Sequence, residues 1–424
     1  MQPTRRSLGV VAAFLLVVVL TACTSNGKSQ SAANHKIRLV VQLFGDFGYD
    51  DLYKQYEASH PNIQIAEQKA EYAAHHQQLA QHLAAGSGAG DVAAIEEGFI
   101  AQFKATPDKF YNLFDFGAGS LASQWLPWKW AQSLSADGKT QIGLGTDVGS
   151  LAMCYRKDLL HKAGLPSDRD AVSKLWPDWA SYIATGRKFM AANTGAKWFD
   201  AGANIYAAVL GQQPQGYYTP DNQLQLNGPG PKAAWDTAIQ GVEAKLSAGL
   251  AAFSTDWNTG FQKGTFATVT CPAWMLAYIK NQAPKTAGLW DVASIPGRGG
   301  NWGGSFLTVP KQSKHPREAY DLAKFLTSPD SQKYLFTKNG TLPSEPALYD
   351  DPAVKSFKNP FFSGAPVGEI YTTAAKTLQP QYQGPKAGAI RTAFTNAILT
   401  VEQGKKTPDQ AWQQGLKDAQ AAAA

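Results

Sequence analysis

Residues 137–166 constrain the fold of this chain more than any other segment, because they predict two short strands separated by a bend. Apolar side chains are punctuated there by Gly143, Gly145 and Gly149, a pattern typical of extended chain and turns rather than of a helix. Two interpretations fit this pattern. The segment is either an ordinary buried hairpin or an extended crossing that carries the backbone from one lobe into another.

A chain of 424 residues is too long for one hydrophobic core, since such cores stop growing at about 250–300 residues. Two lobes are therefore expected. Near the start of the chain, a predicted strand (37–43), a helix (51–59) and a second strand (63–66) follow one another. This order predicts an α/β fold with a parallel sheet that binds ligands at the carboxyl ends of its strands.

The amino-terminal segment 1–22 has the pattern of a secretory signal, with Arg5 and Arg6 at its start and an apolar run over residues 8–20. The paired arginines leave both the general secretory route and twin-arginine export open. No other stretch is long and apolar enough to cross a bilayer, which requires about 20 residues. We therefore expect an exported protein.

The last residues of this signal, Leu20-Thr21-Ala22-Cys23, resemble the lipobox of bacterial lipoproteins, in which the cysteine thiol receives a diacylglycerol. The alternative is a plain signal peptide followed by an incidental cysteine. Residues 23–35 are mostly small and polar and predict a flexible tether. We expect the protein to be anchored to the outer face of the bacterial cell membrane through this lipid alone.

The charge of the chain gives little support to a nucleic-acid partner. The net charge is +6, and removal of the signal segment, which holds Arg5 and Arg6 but no acid, leaves 37 basic and 33 acidic residues, or +4. No block of lysine or arginine is present. The 12 Trp, 16 Tyr and 20 Phe residues instead suit sugars, whose C–H faces are apolar, although most of the tryptophans are expected in the core.

Three blocks of sequence, over residues 137–166, 264–274 and 301–344, resemble the extracellular solute-binding proteins of family 1, the maltose-binding-protein-like lipoproteins of ABC sugar importers. The resemblance implies two lobes, each a mainly parallel sheet flanked by helices, with the ligand cleft between them. It also favours the crossing over the hairpin for residues 137–166. The lobe boundaries expected on this basis are residues 36–146 and 297–336 for lobe 1, and residues 147–296 and 337–424 for lobe 2.

The candidate ligand-binding residues combine carboxylates that accept sugar hydroxyls, aromatic rings that stack on sugars, and glycines that let a ligand approach the backbone. Their alternatives are a solvated turn at the end of the first strand and core packing for the aromatic rings. The resemblance implies the first-strand loop and the aromatic residue after strand 264–270, and the remaining candidates follow from their places at predicted strand ends, in the glycine-rich loop or near the cleft. The set is Asp46, Phe47, Glu97, Asp147, Trp274, Trp302, Gly303, Gly304, Ser305 and Tyr382.

Two cysteines, Cys154 and Cys271, remain once Cys23 carries lipid. In an exported chain they predict a disulfide, because the compartment is oxidising. Two buried free thiols are the alternative. Three histidines, His75, His76 and His82, lie on one predicted helix, and we interpret them as a solvated face rather than a metal site, since no further ligand follows. No metal site and no cofactor are predicted.

The predicted function is the capture of an oligosaccharide of the cello-, xylo- or malto-type and its delivery to the transmembrane subunits of an ABC permease, by a monomer. No nucleophile elbow, HExxH or dinucleotide motif is present, so an enzyme is not expected. One alternative is an extracellular glycosidase, for which Glu96, Glu97, Asp147 and Asp200 are available. The other is a binding protein for a polyamine or another solute that is not a sugar.

Overall fold

The structure is a computed structural model that describes residues 36–424. The predicted signal segment 1–22 and the lipidated tether 23–35, including Cys23, lie outside the described residues. Over residues 36–424, no helix combines the length and the apolar character needed to cross a membrane.

The strands of the described part form two separate sheets, ordered β2-β1-β3-β9-β4 (the first sheet) and β6-β7-β5-β8 (the second sheet). The strands are β1 (Ile37–Phe44), β2 (Ile63–Ala70), β3 (Val92–Glu96), β4 (Gly143–Gly145), β5 (Leu151–Arg156), β6 (Lys197–Phe199), β7 (Phe266–Pro272), β8 (Trp290–Ala293) and β9 (Ser305–Thr308).

Helices surround both sheets. The α-helices are α1 (Asp50–Ser59), α2 (Tyr72–Ala85), α3 (Glu97–Lys104), α4 (Pro127–Gln132), α5 (Lys157–Lys162), α6 (Arg169–Leu175), α7 (Trp179–Ala191), α8 (Gly202–Gly211), α9 (Pro229–Glu243), α10 (Thr255–Lys263), α11 (Met275–Gln282), α12 (Pro316–Leu326), α13 (Pro329–Asn339), α14 (Pro352–Lys355), α15 (Val367–Lys376), α16 (Ala387–Glu402) and α17 (Pro408–Ala423). Short 3-10 helices span Pro107–Lys109, Leu113–Phe116, Ala118–Gln124, Pro284–Thr286, Pro346–Asp350 and Pro360–Phe362.

The first sheet is parallel only in part. Strand β1 pairs in parallel with β2 and β3, as the β-α-β order predicts. Strand β9 is antiparallel to both β3 and β4. The chain leaves this sheet along β4 and comes back along β9, so these neighbouring strands run in opposite directions.

The second sheet corrects the expectation of a mainly parallel sheet. Only β6 and β7 pair in parallel, whereas β5 is antiparallel to β7 and to β8. The chain enters this sheet along β5 and leaves it along β8, which again makes the neighbours antiparallel. Side chains of β5 alternate between two hydrophobic cores, with Met153 and Tyr155 on one face and Ala152 and Cys154 on the other.

The passages between the sheets decide how residues 137–166 fold. Because β4 belongs to the first sheet and β5 to the second, this segment is a crossing and not a hairpin. The chain returns to the first sheet between β8 and β9, over residues 294–304, which we call the return crossing. The assignment of the remaining residues to two lobes stays a prediction.

Cys154 of β5 and Cys271 of β7 form a disulfide, with 5.4 Å between their Cα atoms. Both side chains are fully buried, and the antiparallel pairing of the two strands brings them together. In the chain-entropy account, a loop closed over 117 residues stabilises the fold by about 4–5 kcal/mol. The alternative of two free thiols is therefore wrong.

Candidate functional site

A cavity lies where elements attached to the first sheet meet elements attached to the second. Its empty volume is about 390 Å³, including its opening to solvent. The junction of β3 and α3 and the return crossing form one side, and α8, α16 and the segment before α16 form the other. Its lining includes Glu96, Glu97, Gly98, Asn301, Trp302 and Gly303 on the first side, and Leu210, Tyr217, Gln381, Gln383 and Arg391 on the second.

Two consecutive acids, Glu96 and Glu97, occupy the boundary between β3 and α3. Glu96 caps the helix by accepting a hydrogen bond from the backbone N–H of Gly98 at 2.8 Å, and it also accepts one from the Tyr72 hydroxyl at 2.7 Å. Glu97 is the first residue of α3, where the helix dipole favours a negative charge. Both side chains are buried, so their carboxylates are held in fixed positions.

The buried histidine His76 supports this boundary from behind. Its Nε2 accepts a hydrogen bond from the backbone N–H of Glu96 at 3.0 Å, so its Nδ1 is the nitrogen that donates to the Tyr72 carbonyl at 2.7 Å. Burial lowers the pKa of His76 to about 3, which keeps the ring neutral. The neighbouring His75 is also buried and contacts the Ala94 carbonyl. The interpretation of these two histidines as a solvated face is therefore wrong.

Lys129 of α4 is fully buried beside Glu97. Its Nζ lies 3.9 Å from Oε2 of Glu97 and 4.0 Å from the centroid of the Phe306 ring. Within residues 36–424 this ammonium group has no hydrogen-bond partner. Burial raises the pKa of Glu97 to about 7, although the Lys129 charge acts in the opposite direction, and Asn301 donates a 2.6 Å hydrogen bond to Oε2 of Glu97.

Asp147 holds the return crossing against the first sheet. Its Oδ1 accepts hydrogen bonds from the Thr146 hydroxyl at 2.5 Å and from the backbone N–H of Ser305 at 2.9 Å. Burial raises its pKa, and the charge of Lys129 opposes this rise. We call Glu96, Glu97, Lys129 and Asp147 the charged cluster.

The backbone of the return crossing requires glycine beside this cluster. Gly303 and Gly304 have φ angles of 92° and 105°, which side chains rarely tolerate. A Cβ atom on Gly304 would lie 2.7 Å from the Asp147 carbonyl oxygen and 2.8 Å from Nζ of Lys129. The glycines therefore let the crossing pass directly over the buried charges.

Two tryptophans, Trp274 and Trp302, meet next to the cavity, and we call them the tryptophan pair. Trp274 directly precedes α11, and its Nε1 donates a hydrogen bond to the Trp302 carbonyl at 3.0 Å. The rings are nearly perpendicular, at 77°, with 5.8 Å between centroids. Trp302 lines the cavity, and Trp274 lies behind it.

The structure brings some of the predicted residues together and leaves others apart. Glu97, Trp302 and Gly303 line the cavity. Four further candidates lie next to these residues: Trp274 donates to the Trp302 carbonyl, Gly304 and Ser305 follow Gly303 in the chain, and Asp147 accepts from the Ser305 N–H.

Asp46, Phe47 and Tyr382 are outside the cavity lining. Asp46 is exposed and accepts a hydrogen bond from the Gly48 N–H within its own turn, and Phe47 packs against Phe44. Tyr382 directs its hydroxyl toward Asn222 at 3.5 Å, although its two chain neighbours line the cavity.

Arg391 is the main cavity residue that the sequence analysis missed. It lies on α16, and its Nη2 is 2.9 Å from the Tyr72 hydroxyl and 3.7 Å from Oε2 of Glu96. These contacts join a helix near the carboxyl terminus to the first sheet. A charged residue among the small and apolar residues at the start of α16 was the available signal.

The polar groups around the cavity are suited to forming hydrogen bonds. Among the residues that the structure describes, no group of three or more His, Cys, Asp or Glu side chains is arranged to hold a metal ion. Hydrogen-bond donors and acceptors dominate instead, and the carboxylates of Glu96 and Glu97 have Arg391 and Lys129 as neighbours. Such a cavity suits a ligand with many hydroxyl groups and no net charge.

Comparison with known proteins gives a family match over most of the chain. A family model described as bacterial extracellular solute-binding protein matches residues 51–361. The chain is 22% identical over 433 aligned positions to an arabinooligosaccharide-binding protein of Bacillus subtilis (strain 168), a match that covers 95% of this chain and 96% of that protein.

Solved structures show the same architecture. The crystal structure of an extracellular solute-binding protein of family 1 is similar with a TM-score of 0.80 and 43% identity, covering 92% of this chain and 100% of the other. An ABC transporter associated binding protein from B. animalis subsp. lactis Bl-04, in complex with beta-1,6-galactobiose, has a TM-score of 0.77 and 24% identity, covering 91% of this chain and 96% of the other. At 24% identity, the similarity to the second structure shows a shared fold and nothing more.

Proposed function

Because this chain belongs to the family of bacterial extracellular solute-binding proteins, we propose that it is the substrate-binding lipoprotein of an ABC importer. It captures a neutral oligosaccharide in the cavity between its two sheets and delivers it to the permease. It acts as a monomer without catalysing a reaction, and a lipid on Cys23 anchors it to the outer face of the cell membrane.

The observation that carries this proposal is the composition of the cavity. Trp302 offers an aromatic surface, Asn301, Gln381 and Gln383 offer amide groups, and the two carboxylates are matched by nearby cations. An anionic ligand would compete with Glu96 and Glu97 for the cations. A polyamine would need carboxylates that are not already paired. A sugar requires neither, since its hydroxyls both donate and accept.

Contacts across the cavity support capture by closure. The Arg391–Tyr72 hydrogen bond joins α16 to the start of α2. Near it α3 and α16 approach so closely that a Cβ on Gly388 would lie 3.2 Å from the Gly98 carbonyl oxygen. This arrangement corresponds to a closed cleft. In the proposed mechanism a bound sugar shifts the population toward this form, which the permease recognises.

A calorimetric screen of the full lipoprotein in detergent micelles tests the proposal and identifies the class of sugar. Arabino-, galacto-, xylo-, cello- and malto-oligosaccharides of two to four units form the panel, with spermidine as the charged competitor. We expect at least one series to bind with a Kd of about 1 μM or tighter, accompanied by a change in tryptophan emission. Binding of spermidine alone, or of nothing in the panel, contradicts the proposal.

The same samples test the absence of catalysis. After prolonged incubation with the bound sugar, product analysis is expected to recover the ligand intact. Release of shorter sugars that depends on the protein, and that is lost in Glu97→Gln, would replace the binding function with a glycosidase.

A further inference from the structure

Phe253 is an exposed aromatic residue in a backbone conformation that disfavours it. It lies just before α10, and 45% of its surface is exposed, the larger of two such values among the large apolar side chains of residues 36–424. Its φ of 67° falls in the left-handed region, which glycine or asparagine occupies at lower cost than a bulky residue. Backbone strain of this kind is found mainly at functional positions.

Three aromatic rings, those of Trp257, Trp274 and Tyr278, lie next to the ring of Phe253. The rings of Trp257 and Tyr278 meet it at 5.3 Å and 5.5 Å, both at steep angles. The Trp274 ring lies 6.3 Å away and is nearly parallel to it, at 24°. Phe253 therefore presents a partly exposed ring to solvent, nearly parallel to the ring of Trp274.

These contacts make a continuous row from the cavity to the surface. Trp302 lines the cavity, Trp274 contacts Trp302, and Phe253 lies beyond Trp274. The row therefore extends the aromatic surface of Trp302 from the cavity to the exposed ring of Phe253. Flat aromatic surfaces in sequence suit the apolar faces of successive sugar units.

We propose that Phe253 forms an outer carbohydrate subsite, which stacks on a sugar unit that extends out of the cavity. This inference rests on the proposed function and deepens it, because it makes the chain a receptor for oligosaccharides longer than the cavity itself. The occupant is an outer unit of the same neutral sugar chain, since the row is continuous with the cavity and is built from uncharged rings.

The test measures affinity against sugar length for Phe253→Ala in the full chain. For the sugar series identified by calorimetry, we expect the affinity for the disaccharide to stay within twofold of the parent protein. The affinity for the tri- and tetrasaccharide is expected to fall about tenfold, the scale of one lost aromatic contact. Leu289→Ala is the matched control, because Leu289 is the other large apolar side chain of residues 36–424 that is similarly exposed, at 36%.

A second pair of variants separates binding from structural support. Phe253→Gly relieves the left-handed strain, so the melting temperature is expected to stay equal or rise while the preference for longer sugars is lost. Phe253→Trp is expected to keep that preference. Equal losses for all lengths, or unchanged binding with slower uptake in cells, overturn the subsite in favour of a structural role or a permease contact. A parent protein that binds no sugar overturns the proposed function itself.

Discussion

The charged cluster and the tryptophan pair lie on neighbouring parts of one site, yet they are built in opposite ways. The charged cluster is buried and lies on β3, α3, α4 and the crossing after β4, and one oxygen of each of its three carboxylates accepts a hydrogen bond. The tryptophan pair is only half-buried and lies on a helix start and a glycine-rich crossing. In the proposed function, the buried charged cluster supplies direction and specificity, and the tryptophan pair supplies contact area.

The difference predicts distinct responses to mutation. Changes in the charged cluster alter folding stability and its pH dependence together with binding, because the charges are desolvated. Changes in the tryptophan pair alter binding with little effect of pH. The three predictions that follow run from the largest expected change in free energy to the smallest.

Lys129→Met is expected to have the largest effect, since it leaves the carboxylate of Glu97 buried without its cation. The free energy of unfolding should fall by about 3–5 kcal/mol at pH 8, where Glu97 is ionised, and by less at pH 5. Chemical denaturation at both pH values measures this. Lys104→Met is the control, because Lys104 is half-buried on neighbouring α3 and makes no ion pair within residues 36–424. Equal stability of Lys129→Met and the parent at pH 8 would contradict the prediction.

Ionisation of Glu97 is expected to lower the free energy of unfolding as the pH rises. Burial raises its pKa from the ordinary value of 4.5 to about 7 in the folded protein, so the folded state binds more protons than the unfolded state between these values. Stability therefore falls as pH rises from about 4.5 to about 7, by about 3 kcal/mol in total, and the loss is complete above that window. The groups that face this carboxylate are Glu96, Lys129, Gln132, Asn301 and Arg391.

Glu97→Gln removes that part of the slope and also lowers sugar affinity, because an amide replaces an acceptor with two oxygens. Asp200→Asn provides the comparison. Burial raises the pKa of Asp200 to about 6, so this variant also flattens the stability profile, but Asp200 lies in the core with Trp257 and Asn204 and is expected to leave sugar affinity unchanged. A loss of affinity in both variants would mean that stability, and not the cavity carboxylate, controls binding.

Trp302→Ala is expected to cost about 2 kcal/mol of sugar binding, or roughly 30-fold in affinity, with the same ratio at pH 5 and pH 8. The reason is that the lost contact is aromatic and not ionic. Calorimetry at both pH values measures the ratio. Trp302→Phe keeps a stacking surface and should recover most of the affinity. A ratio that changes strongly with pH would show that the tryptophan acts through the charged cluster.

Local sequence patterns predicted the elements well and their pairing less well. The helix Tyr72–Ala85 and the first strands agree with the structure because their periodicity is determined by nearby residues. The directions of β5, β8 and β9 were missed, because they follow from where the chain leaves and re-enters each sheet. That information depends on long-range connectivity and not on local propensity.

The residues at the cavity show the same difference between local sequence signals and long-range structure. Two candidates that line the cavity had local signals in the sequence: Glu97 follows a short buried strand, and Trp302 lies beside glycines. Lys129 and Arg391 were missed, since a charged side chain on a helix is normally solvated and only the tertiary fold buries it. Asp46 lies outside the cavity lining, and its Oδ1 accepts a hydrogen bond from the Gly48 N–H within its own turn.

The disulfide of the second sheet has a mechanical consequence. Cys154 belongs to the strand that begins just after the outgoing crossing, and Cys271 precedes Trp274 by three residues. The disulfide therefore links the middle of β5 to the end of β7, close in sequence to Trp274. In the proposed closure, rotation about the crossing therefore carries Trp274 together with the second sheet, and reduction of the disulfide is expected to weaken that coupling.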